Sequence, residues 1–106
     1  MSLGDLEQLV LLAILRLSPE AYGISVQQEI AARARPEVTL GAVYSTLTRL
    51  EQKGLVSAKI GPPTRVRGGR RKKLYIVTGA GREAVRESLQ ALRSLSRGLT
   101  PRLGTP

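Results

Sequence analysis

The sequence contains no cysteine and no histidine. The first absence removes disulfides, and the two together remove Cys/His zinc sites and haem ligation by histidine. They also remove every nucleophile–histidine pair and the commonest general base. Tryptophan and phenylalanine are missing too, and only three tyrosines remain, so there is little on which exposed bases could stack. No apolar run approaches the roughly 20 residues of a membrane-spanning helix. The opening MSLGDLEQL is acidic and amphipathic, without the positive start and apolar stretch of a signal peptide. The location expected from these absences is the cytoplasm. The eight carboxylates are scattered, with no pair spaced for acid–base work. Gly68-Gly69 and Gly79-Ala80-Gly81 match neither a Walker loop nor a dinucleotide fingerprint. Neither catalysis nor a cofactor or metal is expected.

What the chain does have is positive charge in one place. Its 106 residues carry a net charge of +9, from 17 basic and eight acidic residues. Lys59, Arg65, Arg67, Arg70, Arg71, Lys72 and Lys73 fall within fifteen positions that hold no acid. The ten basic residues elsewhere nearly balance the eight acidic ones. Such a field gathers polyanions at one site rather than over the whole surface.

The apolar pattern gives the frame around that stretch. Leu3, Leu6, Leu9, Val10, Ala13, Ile14 and Leu17 recur at helical steps, and Leu11, Leu12 and Leu15 widen the apolar face almost all round. That helix needs cover on more than one side. Ser18-Pro19 ends it. A second helix is expected from about 22 to 34, with Ile24, Val26 and Ile30 as its apolar positions and Pro36 as its breaker. Thr39 then stands as the N-cap of a third helix over 39–53, whose stripe is Leu40, Val43, Leu47 and Leu50. Its opposite face holds Gly41, Ala42, Ser45, Arg49 and Gln52. Gly54 fits the left-handed position after the helix. Leu55 to Ile60 reads as a strand ending at Gly61-Pro62-Pro63, and Leu74 to Thr78 as a second strand. Thr78 can cap a last helix with Ala84, Val85, Leu89, Leu92 and Leu95 as its seam. The tail from 99 to 106, rich in Pro and Gly, is expected to be disordered.

Three helices followed by a hairpin define a winged helix-turn-helix. The fold class is therefore mainly α with a small β-hairpin. Residues 1–78 form the nucleic-acid-binding unit, and 79–98 an appended dimerisation helix. The basic run occupies the wing at 61–73. Its arginines suit phosphate, which they bind bidentately, or a narrow minor groove. Small residues at the start of the third helix allow close entry into a major groove, with Arg49 one turn further on and Thr39 and Tyr44 flanking. From the residues alone, Tyr22 suits either a phosphate contact or a core aromatic with its hydroxyl at the surface. Tyr75, alternating in a strand, reads as core. Leu89, Leu92 and Leu95, together with Leu6 and Leu9 of the first helix, exceed what one small domain covers and suggest a dimer contact.

At this point the chain resembles the PadR family of bacterial transcription regulators, in its short form with a single C-terminal helix. The resemblance runs from Leu3 to Arg82. It is carried by Leu3-Gly4, the leucine-rich helix, Tyr22-Gly23, Leu40-Gly41-Ala42-Val43-Tyr44 with Leu47 and Arg49-Leu50-Glu51, Gly54-Leu55-Val56, Gly68-Gly69-Arg70-Arg71-Lys72, Leu74-Tyr75 and Thr78-Gly79-Ala80-Gly81-Arg82. Each piece is weak; their order and spacing are specific. The resemblance implies a homodimer on a near-palindromic operator of double-stranded DNA, with the third helix of each subunit in a major groove. It implies a repressor relieved by a small-molecule inducer. It puts Tyr22, Thr39, Ala42, Tyr44, Ser45 and Arg49 on DNA, with Arg70 and Lys72 on the wing beside Arg65, Arg67 and Arg71. This chain departs from many members in carrying Ser45 where they have proline, in its long basic wing, and in having no tryptophan to line a central cavity. Two other classes fit the composition less well: an RNA-associated or ribosomal winged-helix module, and a protein-interaction adaptor.

Overall fold

The computed structural model describes residues 3–63 and 71–104. Its elements run α1 (Asp5–Leu17), α2 (Gly23–Arg33), α3 (Leu40–Gln52), β1 (Val56–Pro63), β2 (Arg71–Val77), α4 (Gly79–Ser96) and α5 (Thr100–Leu103). This is the order of a winged helix, as the sequence leads one to expect. No helix among the described residues is long and apolar enough to cross a membrane.

Local chemistry sets the helix ends. The Thr39 hydroxyl accepts the Ala42 amide at 3.1 Å, and the Thr78 hydroxyl accepts the Gly81 amide at 3.1 Å. Each satisfies one of the free donors of a first turn. Gly54 has φ 74°, the left-handed conformation expected after α3. The core gathers the inward stripes: Val10, Leu11 and Ile14 of α1, Val26 and Ile30 of α2, and Val43, Leu47 and Leu50 of α3. Leu55, Val56, Tyr75 and Val77 at the hairpin base close it, with Val85 of α4. Ile24 departs from the expected inward face of α2 and is exposed. It lies two residues from Val26, about 200° round the helix, and so points away from the side that Val26 and Ile30 bury.

The strands are longer than expected. They pair antiparallel from Val56↔Val77 through Ile60↔Lys73, then shift register before Pro63↔Arg71. Proline donates no ladder hydrogen bond, but it is tolerated at a sheet edge or bulge. In a two-stranded sheet each strand has an open edge, so β1 runs on through the two prolines. By the same openness β2 starts at Arg71 rather than Leu74, because a hairpin arm in solvent accommodates charged residues.

One buried carboxylate ties α1 to α3. Glu7 accepts the Gly4 amide at 2.8 Å through Oε1 and the Lys53 ammonium at 2.7 Å through Oε2. Burial pushes the Glu7 carboxyl up, but the bonds from Lys53 and Gly4 outweigh it and hold it below its ordinary value. The tail, expected without structure, carries the short helix α5.

Candidate nucleic-acid interface

The outer face of α3 is open. Gly41, Ser45, Thr48, Arg49 and Gln52 are exposed, and Ala42 is half-buried. The helix holds this face by turning its other hydroxyl inward. Thr46 is fully buried; its Oγ1 donates to the Ala42 carbonyl at 2.8 Å and accepts from Arg49 Nη2 at 3.2 Å. One guanidinium nitrogen of Arg49 is thus steadied from below while the side chain stays at the surface. Sequence reasoning missed Thr46. Its signal was position, since it adjoins Leu47 on the side of the buried stripe.

The Tyr44 ring packs against Gly23 at the start of α2, next along the chain from Tyr22. A Cβ at Gly23 would lie 2.4 Å from the Tyr44 ring and 2.5 Å from its hydroxyl oxygen, so a larger residue there would have to push the Tyr44 ring aside. Tyr44 nonetheless keeps 45% of its surface exposed. Tyr22 is half-buried and precedes α2 as its N-cap residue. Lys72 of β2 places its ammonium 4.1 Å from the centre of the Tyr22 ring, a cation–π contact. The starts of α2 and β2 and the N-terminal half of α3 therefore border one patch: Lys72 lies over the Tyr22 ring, and the Tyr44 ring packs against Gly23, the next residue along.

Of the other expected contacts, Thr39 is exposed, with its hydroxyl engaged in the cap. Arg71 opens β2 opposite Pro63. Arg65, Arg67 and Arg70 lie outside the described residues. Tyr75 is core, as expected: it is 4% exposed, and its amide bonds the Ala21 carbonyl at 2.8 Å.

The candidate dimer residues divide. Leu6, Leu9 and Leu89 pack partly against the core, whereas Leu92 and Leu95 are 55% and 80% exposed. Leu9, Leu12 and Leu15 line a groove of about 400 Å³ between α1 and α2, with Arg16, Glu29 and Arg33 at its rim.

Residues 11–87 match the Transcriptional regulator PadR-like family. The chain is 38% identical over 78 residues to the transcriptional regulator Rv3488 of Mycobacterium tuberculosis, spanning 74% of this chain and 68% of that protein. Among solved structures it is similar to a PadR family transcription regulator from Clostridium difficile. That match has a TM-score of 0.77 at 24% identity and covers 95% of this chain and 100% of the other. A PadR family regulator from Eggerthella lenta matches with a TM-score of 0.69 at 26% identity, over 96% and 88% of the two chains. The chain belongs to the PadR-like family of transcriptional regulators.

Proposed function

We propose that this regulator is a homodimeric repressor that binds a near-palindromic operator, with α3 in the major groove and the hairpin tip on the backbone or in the minor groove. The observation that carries the reading is the open face of α3, with Ser45 and Arg49 exposed, standing beside a hairpin that holds nearly all of the chain's excess positive charge. Charge on the wing supplies affinity, and the small polar helix face reads the sequence. The homodimer is supported by the uncovered leucines of α4. A pair related by a two-fold axis buries the same patch on each subunit and presents two copies of α3 to two half-sites.

Selection of bound fragments from genomic DNA, followed by footprinting, should give a protected dyad. Uniform protection of unrelated sequences would sink the sequence-specific reading. If five wing residues per subunit contact phosphate, the dimer's affinity should fall with a slope of about −9 in log affinity against log salt. Replacing Arg70, Arg71 and Lys72 together by Ala should flatten that slope by about five. An unchanged slope would take the wing off the backbone. Disruption of the gene should raise transcription from the protected promoter; a fall would make the protein an activator.

A further inference from the structure

Lys73 belongs to the basic run that composition assigns to a polyanion, yet its surroundings are those of a bound residue. Its Nζ donates to Glu51 Oε1 at 3.1 Å and stands 5.6 Å from the centre of the Tyr75 ring. Tyr75 is itself buried and tied through its amide to the loop before α2. The Glu51 carboxylate raises the pKa of Lys73 by accepting its hydrogen bond. Glu51 sits in the last turns of α3 and is the only carboxylate of that helix. The pair therefore joins the proposed recognition helix to the wing.

Its position on the hairpin is informative. Lys73 pairs with Ile60, the last regular rung before the register shift toward Pro63 and Arg71. Beyond that rung regular pairing gives way, and a bulge bends and twists a hairpin. Successive strand residues point to opposite sides, and here the two neighbours reach two different helices. Lys72 reaches the Tyr22 ring at the start of α2, and Lys73 reaches Glu51 on α3. β2 is held from two directions at the rung where its ladder becomes irregular.

We infer that Glu51 and Lys73 form a strut that fixes the angle of the wing against the recognition helix, so that both are positioning residues for DNA binding and neither is a DNA contact. This rests on the DNA-binding reading above. It explains why an acid is tolerated on a helix proposed to approach phosphate, because Lys73 neutralises it and employs it.

The sign of one substitution separates strut from contact. On charge alone, Glu51→Gln removes a repulsion and should tighten DNA binding. As a strut, its loss should weaken binding. An ion pair half in solvent has a modest effect, about two- to fivefold per half-site. Duplex DNA recovered by selection with the wild-type protein should be titrated over a range of KCl with Glu51→Gln, Lys73→Gln and the reversed pair E51K/K73E. We expect both single variants to bind about two- to fivefold more weakly per half-site with an unchanged salt slope, and the reversed pair to recover most of the loss. Amide hydrogen exchange at Ile60 and Lys73 should quicken in the singles and return in the reversed pair. Tighter binding by Glu51→Gln overturns the strut. So does a slope reduced by about 0.9 per subunit in Lys73→Gln, which would make Lys73 a phosphate contact. If the wild type selects no duplex DNA, the DNA-binding reading falls by itself. The strut is then judged on exchange, and unchanged exchange in Glu51→Gln rejects it too.

Discussion

The two halves of α4 carry one apolar seam and meet opposite surroundings. In the first half Gly81 and Val85 are buried and Leu89 packs against the core. From Gln90 to Leu99 every residue is exposed, Leu92 and Leu95 included. Periodicity is the same in both. What differs is the cover that the other described residues supply: it is close over Gly81, Val85 and Leu89 and leaves most of Leu92 and Leu95 open. An apolar stripe states that a face needs cover. Only the fold shows which part of it the chain covers itself, and the remainder is what the proposed dimer would bury.

The sharpest break in this comparison should come from the packed half. A Cβ on Gly81 would lie 2.1 Å from the Leu55 carbonyl oxygen and 2.7 Å from Val77 Cγ1. Backbone must move to admit it. Gly81→Ala should cost about 2–4 kcal/mol and lower Tm by roughly 10 °C or more. A thermal melt within a degree or two of wild type would show that α4 is not seated on the hairpin base in this way. Leu92→Glu with Leu95→Glu should do the reverse: leave the far-ultraviolet spectrum and hairpin intact and dissociate the proposed dimer. Four leucines per pair are exposed to water, so association should weaken at least about a hundredfold. Sedimentation equilibrium reads it. A dimer of unchanged affinity would move the interface elsewhere.

Between these two lies Glu7, buried where α1 meets α3. Glu7→Gln keeps an oxygen for the Gly4 amide and loses the ion pair with Lys53. We expect a loss of about 1–3 kcal/mol in denaturant unfolding. The native carboxyl is held below its ordinary value of 4.5. Its contribution is therefore fully present above that pH and disappears as pH falls through the lower native pKa. Wild type and Glu7→Gln should accordingly differ most near neutrality and converge in acid. A difference that persists unchanged in acid would refute the pair.

These contrasts also mark what could be read from the chain. The caps at Thr39 and Thr78, the left-handed Gly54 and three of the four stripe positions of α3 depend on neighbours within four residues, and the sequence displays them; the fourth, Leu40 in the first turn, is exposed. The two strand-like runs after Gly54 displayed the hairpin after α3. Hidden were the contacts between distant positions: Glu7 with Lys53, Glu51 with Lys73, Tyr22 with Lys72. No period links such pairs, and charge counting pooled Lys72 and Lys73 with the rest of the wing although each is engaged by a different helix. Thr46 was hidden differently, as a polar residue whose hydrogen bonds are completed inside its own helix. The extension of β1 through Pro62 and Pro63 was hidden because proline's rule is strict for a central strand and lenient for an edge.

The smallest expected effect tests the role that sequence left open for Tyr22. A hydroxyl bound to phosphate and a ring that receives Lys72 make opposite demands on substitution. Tyr22→Phe removes only the hydroxyl and keeps the ring under the ammonium. Tyr22→Leu removes the ring face and its negative potential. A cation–π contact at a half-open site is worth about 0.5–1 kcal/mol. If the ring holds the wing, Tyr22→Phe should bind DNA within a factor of about two of wild type, and Tyr22→Leu should lose about two- to fivefold with an unchanged salt slope. If the hydroxyl meets phosphate, both should lose affinity equally. The patch where α2, α3 and β2 converge would then be a DNA contact in its own right, and the wing would lean on Glu51 alone.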